Sequence, residues 1–587
     1  MPLRWPAPQV GLFGFGLAMG CGQVSTWSDP PLRRLTPTEY NHTIRDLFGF
    51  SIDEPWPDVE GFDDNDGQAA WPWRFPADIP IHGFEGIAEG QVASSYLIEQ
   101  YQAAADHFSQ FALAAPAFWT CEDRPACAED SVVRFAHRAW RRPLTTNEQA
   151  RITAFHQTAV AEQGVDDGTR LAVMGILQAP QFLYRVEDAD SRDAFALASR
   201  LSYLLWDSMP DPELFEAAAT GKLQTKAHVT KQVRRMLAHP KARTAIVAFH
   251  EQWLGIDEVY SNRAARQAYA PAYLPEIVGA SQGGLANESV EEVWSSYLVG
   301  AQAAMVREAQ LFLERTVFEG PGTLGTLLTD HHGYATRLRG LGDNDTFRLY
   351  GVTAGDALPL EVIHESLDDG NLTYDFTYVP VTFPVDQRSG VLTLGATLAA
   401  RAHPVHPAPV LRGVFVLERL ACENMGQPPD GAALEAPPDA VSASSTNRER
   451  LDAITNAAPC ASCHDRINPL GYAFENYDSL GGWREVDNGS AVDASGVLRL
   501  TGEPEVPFND AVELGRALAR SDRVHDCYAE QWMRYAFGTD ISSSDPTLLE
   551  VQHRFKNRHK GRVLDLIVDI ATSDAFRKPP ASGEGNP

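Results

Sequence analysis

Residues 33–49 read RRLTPTEYNHTIRDLFG, a helix with both ends marked. Thr36 stands at the N-cap and Pro37 at the first helical position. Glu39 follows Thr36 by three, the capping-box spacing in which each side chain satisfies the other's backbone N–H. Tyr40, Ile44 and Leu47 then recur at the helical period, and Gly49 supplies a stop. The same signals recur along the chain. Thr145 to Glu148 is a second capping box, after Arg141-Arg142-Pro143-Leu144. Leu197, Leu201, Leu204 and Leu205 keep an amphipathic spacing, and Asp211-Pro212 opens the next helix. Met305, Ala309, Phe312 and Thr316 mark another, and Val563, Ile567 and Ile570 a last one. The expected fold is mainly α. Helical modules are expected at 30–110, 121–190 and 193–330, with a C-terminal one at 506–577.

One stretch departs from this period. Between Phe347 and Phe383 the chain is rich in Thr, Val, Tyr and Phe, with Asp369-Gly370 as turn punctuation. NLTYDFTYVPVTF (371–383) alternates as a strand does. A small β-containing insert is therefore expected at 331–385. Residues 386–424 begin the next module. A Pro/Ala/Ser-rich linker follows at 425–447, then a compact region at 448–505. The tail 578–587 is expected to be disordered.

The chain has 587 residues, 44% hydrophobic and 22% charged, an ordinary balance for a globular protein of several domains. Its net charge is −29, from 78 acidic against 49 basic residues. No basic stripe appears, which excludes a nucleic-acid binder. The acidity keeps the chain soluble or repels anionic partners. At the N-terminus, Arg4 precedes the apolar run VGLFGFGLAMG (10–20), which ends at Cys21. That run is too short to span a bilayer and fits the core of a secretory signal. Leu17-Ala18-Met19-Gly20-Cys21 resembles a bacterial lipobox, with Met19 an unusual member. Residues 1–21 thus read as a signal with Cys21 as the lipidated residue, or as a plain signal peptide. The expected location is extracytoplasmic, at the periplasm or cell surface, as an outer-membrane lipoprotein. Membrane contact is expected only through that anchor.

The most specific chemistry lies at Cys460-Ala461-Ser462-Cys463-His464. Two thiols at this spacing can add across the vinyl groups of a haem to form thioethers. The adjacent imidazole can then turn under the iron as proximal ligand. One covalent haem c is expected, held by Cys460, Cys463 and His464. Two other readings of the motif stand beside it. One is a thioredoxin-like dithiol, which normally opens a helix after a strand. The other is structural zinc completed by Cys422 and Cys527. In Ile467-Asn468-Pro469-Leu470-Gly471, the Pro469 carbonyl is a candidate acceptor for the far nitrogen of His464, or Pro469 is a simple turn residue. The distal ligand is unknown; Met533, His403, His406, His525 and an open position all remain. Of the seven cysteines, Cys121, Cys127, Cys422 and Cys527 are left over. In an oxidising compartment four spare thiols suggest two disulfides. The short-range choice is Cys121–Cys127 with Cys422–Cys527, against free buried thiols.

Several phrases together carry a family resemblance. RRLTPTEYNHTIRDLFG (33–49), FAHRAWRRPLTTNE (135–148) with GILQAPQFLYRVE (175–187), and LASRLSYLLWDSMPDPEL (197–214) with FHEQWLG (249–255) form the first group. RSGVLT (388–393), PVLRGVFVLERLAC (409–422) and CASCHDRINPLGYAFENYDSLGGWR (460–484) follow. CYAEQWMRYAFG (527–538) and IATSDAFR (570–577) complete the series. In this order they resemble exported planctomycete and myxobacterial proteins built from five modules of unknown function. The resemblance implies a cytochrome-c-like haem segment in the fourth module, at Cys460, Cys463 and His464. It assigns no role to Arg412 or Arg484, which are candidates for haem propionates or for structural ion pairs. Three functions are consistent with these features. One is an electron-transfer haem protein cycling Fe(II)/Fe(III) with an unknown redox partner. The second is a haem oxidoreductase on an exported substrate. The third is a surface scaffold with a structural haem.

Overall fold

The computed structural model describes residues 32–49, 73–115, 118–185, 194–261, 290–339, 346–368, 373–403, 406–426 and 444–577. The expectations for residues 1–21, Cys21, the turn at Asp369-Gly370, most of the linker and the tail lie outside the described residues. Helices dominate, and the sheets are small and antiparallel.

The local grammar is realised at the first helix, Pro37–Phe48. The Thr36 hydroxyl accepts the Glu39 N–H at 3.1 Å, and the Glu39 carboxylate accepts the Thr36 N–H at 2.9 Å. Such a cap contributes about 1 kcal/mol. Gly49 ends the helix at φ 77°, in the left-handed region where a Cβ is penalised. The helix Thr146–Gln163 carries the second capping box, Thr145 with Glu148. Tyr40, Ile44 and Leu47 turn inward with Phe108, Phe135 and Ile176 into one core shared by the segments up to residue 183. A second, larger core gathers the helices from 194 to 577. The helix Ala194–Trp206 joins them: Tyr203 faces the first core, while Leu201, Leu204 and Leu205 face the second.

The β insert is a three-stranded antiparallel sheet. Thr373–Thr382 is its centre strand, with His332–Arg339 and Ile363–Asp368 on either side. Phe376 and Tyr378 face inward against Ala304 and Leu311 of the helix Val290–Glu314. One detail differs from the β-rich stretch read from Phe347: Thr346–Tyr350 is a short helix. The first strand, at 332–339, lies inside the insert expected at 331–385 but ahead of that stretch. That strand, HGYATRLR, lacks the β-branched run that marks its partner, so its pairing rather than its composition makes it a strand.

In the larger core, the helix Pro240–Leu254 meets the helix Asp522–Phe537 through Phe249 stacked on Trp532, ring centroids 3.6 Å apart. His250 beside them is fully buried. Its Nδ1 lies 2.7 Å from the Ile246 carbonyl and its Nε2 2.8 Å from the Tyr528 hydroxyl. The carbonyl can only accept, so Nδ1 carries the proton and Nε2 accepts from Tyr528. Burial holds the pKa of this neutral ring down to about 4, against 6.5 when unfolded. A depressed folded pKa contributes stability that is complete above pH 6.5 and is lost as pH falls toward 4. The expected loss is about 3 kcal/mol. His250→Gln is expected to flatten the dependence of the urea midpoint on pH across this window. Equal slopes in the two proteins would remove His250 from this account.

Both expected disulfides are formed. Cys121 and Cys127 have Cα atoms 6.1 Å apart, and Cys422 and Cys527 5.3 Å apart, 105 residues distant in sequence. Among the described residues no helix is long and apolar enough to cross a membrane.

Candidate functional site

The helix Asn447–Thr455 opens on another capping box, Thr446 with Glu449. After a short turn the chain re-enters helix at Ala461–Tyr472, with Cys460 as its N-cap residue. The Cys463 and His464 N–H groups both point at the Cys460 carbonyl, at 3.2 and 3.1 Å. One helical turn therefore presents both sulfurs on the same side. Both thiols are unpaired and half-buried. This helix is held by direct backbone approach to the helix Pro409–Phe415. A Cβ at Gly413 would meet the Ile467 carbonyl at 2.2 Å, and one at Gly471 would meet the Pro409 carbonyl at 2.0 Å. Only glycine permits either contact. A second tie runs from Arg466 to the buried Glu423 at 2.5 Å. The Thr501 N–H also binds Glu423, at 2.7 Å.

The imidazole of His464 is fixed from behind. Its Nδ1 lies 2.8 Å from the Asn468 side-chain oxygen, one helical turn on. The Asn468 amide donates to the Thr455 hydroxyl at 2.8 Å, and that hydroxyl donates to the Leu451 carbonyl at 2.8 Å. The chain of bonds sets every proton. Leu451 can only accept, so Thr455 spends its hydrogen there and must accept from Asn468. The Asn468 oxygen is then turned to His464, so Nδ1 carries the ring proton. The Nε2 lone pair is left to bind a metal. Asn468 and Thr455 are buried, which shields the relay from water.

This corrects the expectation for Pro469. Its carbonyl abuts Gly496 instead, where a Cβ would meet it at 2.6 Å. Asn468 was readable at i+4 from His464 on a helix face, but only once the segment is known to be helical. Neither arginine is available to a propionate. Arg412 is buried and spends its guanidinium on backbone carbonyls. Arg484 pairs with Glu475 and Asp487, both at 2.9 Å. Zinc completed by Cys422 and Cys527 is also set aside, since those two thiols are bonded to each other. The cysteine motif follows a helix and a turn rather than a strand, unlike a thioredoxin-type dithiol.

The distal candidates are scattered. Met533 is fully buried in the larger core on the helix Asp522–Phe537. His525, on the same helix, places Nδ1 2.8 Å from the Ser521 carbonyl. The His403 N–H donates to the His406 carbonyl at 3.0 Å. Burial lowers the pKa of His406, whose charged neighbours are Arg450, Asp487 and Arg484. Asn447 donates to the Pro407 carbonyl, next to His406, and Thr455 meets Asn468. The length of the helix Asn447–Thr455, about 12 Å, separates those two contacts. The donor set of two free thiols and one oriented imidazole fits a covalently held haem. Among the described residues no hydrogen bond or ring contact joins His464 to any of these distal candidates.

Five family models match the chain, each described as a protein of unknown function. In chain order they are DUF1587 over 33–114, DUF1595 over 127–187, DUF1592 over 193–339, DUF1588 over 388–487 and DUF1585 over 505–576. The site lies within the fourth. The strands Ile363–Asp368 and Thr373–Thr382 lie in the gap between the third and the fourth. No curated protein and no solved structure matches the chain.

Proposed function

The chain belongs to the planctomycete-type multi-module proteins of unknown function, and on that premise we propose that it is an exported c-type haem protein serving one-electron transfer with a redox partner. The observation that carries this reading is the Nδ1 relay behind His464, set beside two unpaired cysteines on the same helical turn. When bound, the haem would supply an iron that cycles between Fe(II) and Fe(III). Cys460 and Cys463 would tether it, and His464 would donate Nε2. Asn468 would hold the ring plane and keep the proton on Nδ1, which strengthens the imidazole as a donor. The short name of the module over 388–487, PSCyt3, points the same way, toward cytochrome-like domains. The two disulfides support an oxidising compartment. The signal-like run at 10–20 and Cys21 make the protein a lipoprotein in this reading.

One expression experiment with a c-type maturation system tests both parts. The membrane fraction is expected to carry one haem per chain that acidified acetone does not release. Cys460→Ala with Cys463→Ala is expected to abolish attachment, and His464→Ala to keep it while changing the iron spin state. Asn468→Leu, which leaves Nδ1 without its acceptor, is expected to raise the midpoint potential. Cys21→Ala is expected to move the protein out of the membrane fraction. Protein with stoichiometric zinc and no Soret band would sink the haem reading.

A further inference from the structure

The helices Thr146–Gln163 and Val165–Gln178 pack along each other in the second module, and the haem reading gives neither a role. Beside them lies a cavity of about 690 Å3, inside the range of about 300–1,000 Å3 common for small-molecule sites. Its lining includes Trp140, Arg151, Ile152, Phe155, Ile176 and Gln181. All of the lining falls within residues 140–181, so one module builds the whole cavity.

Two glycines interrupt the helix Val165–Gln178, although glycine is a poor helix former. Gly168 is required by packing, because a Cβ there would meet the Val160 backbone nitrogen at 2.5 Å. Gly175 has no such reason. A Cβ there would come no closer than 4.0 Å to a neighbour, the ring of Phe155. Gly175 is exposed, lies on the cavity lining and keeps an ordinary helical backbone. Neither conformation nor close approach calls for glycine here. What a side chain at 175 would fill is the cavity itself.

The lining is apolar with two unspent polar groups. The Trp140 indole N–H donates to the Ile176 carbonyl at 3.3 Å, which fixes that ring against the helix. Phe155 is 53% exposed. Neither ring contacts another ring among the described residues, so both are free to take an aromatic guest. Glu148 is already held by Arg142 through two bonds at 2.8 and 2.9 Å, which keep its carboxyl down at about 2. Arg151 has no hydrogen bond or ion pair among the described residues, and the Gln181 side-chain amide has none either. The one uncompensated charge on the lining is therefore positive. A single guanidinium fork matches the two oxygens of a monoanionic carboxylate.

We propose that this cavity binds an aromatic carboxylate of one or two rings, its acid group at Arg151 and Gln181 and its ring against Trp140 and Phe155.

The full-length protein is titrated with naphthoate by calorimetry. Naphthamide, which lacks the charge, decanoate, which lacks the ring, and naphthyl phosphate, a dianion, are run at matched ionic strength. Saturable binding of naphthoate is expected, with each comparator weaker by about tenfold or more. Arg151→Gln is expected to weaken naphthoate about tenfold and to leave the melting temperature unchanged, since Arg151 is exposed. Gly175→Leu is expected to abolish binding by filling the cavity, while keeping or raising the melting temperature. The proposal is overturned if naphthoate does not bind saturably, or if any comparator binds as tightly. A folded Gly175→Leu protein with unchanged affinity would overturn it too, because binding would then lie elsewhere. The unmutated protein decides the matter even where a variant fails to fold.

Discussion

Replacing Arg412 by Met is expected to cost about 4 kcal/mol of stability. The Arg412 guanidinium reaches five backbone carbonyls. Nε donates to Arg401, Nη1 to Phe474 and Tyr477, and Nη2 to Leu398 and Asp478, at 2.9–3.3 Å. The acceptors lie on two separate pieces of chain, one at the end of the helix Gly395–Ala400 and one in the turns after the helix Ala461–Tyr472. One buried side chain therefore joins the segment before the linker to the segment that carries His464. Methionine fills much of the volume and offers no donor, so several dehydrated carbonyls lose their partner. Burial lowers the Arg412 pKa to about 10, which still leaves the side chain charged at neutral pH. Chemical denaturation of the full chain reads the effect. A loss below about 1 kcal/mol, the size of a single ordinary hydrogen bond, would refute this role.

Removing the Cys422–Cys527 disulfide through the double variant Cys422→Ala/Cys527→Ala is expected to cost about 4–5 kcal/mol in the chain-entropy account. The bond closes a loop of 105 residues that contains the whole helix Ala461–Tyr472. It also ties the end of the irregular helical turn Val416–Leu420 to the buried helix Asp522–Phe537. The same treatment of Cys121–Cys127, which spans only 6 residues, is expected to cost about 2 kcal/mol. The ranking is the sharper test, because it depends on loop length more than on any one contact. Urea midpoints that reverse the order would overturn it.

Much of the helical architecture was legible because its signals are local. Thr36 with Glu39, Thr145 with Glu148 and Asp211 with Pro212 each act within one turn, and each forms as read. The centre strand announced itself through alternation at 373–382, whereas His332–Arg339 did not. An edge strand carrying two arginines and a glycine takes its conformation from a ready partner. At the candidate haem site, Cys460, Cys463 and His464 were legible from spacing alone. The partner of the imidazole was not. The sequence left the Pro469 carbonyl as one candidate beside a plain turn residue, but Asn468 is the residue that a continuous helix brings to Nδ1.

By itself, the sequence determined the helix starts, the mainly α class, the order of modules, the pairing of the four spare cysteines and the Cys-X-X-Cys-His segment. All of these depend on neighbours in the chain, or on a choice among very few partners. Only the tertiary structure decided that Arg412 is a buried clamp, that Asn468 and Thr455 orient His464, and that Trp140, Arg151 and Gln181 line one cavity. Those roles depend on backbone carbonyls and side chains brought from as far apart as residues 398 and 478. Hydrogen bonding and desolvation act over a few ångströms of space, whatever the separation along the chain.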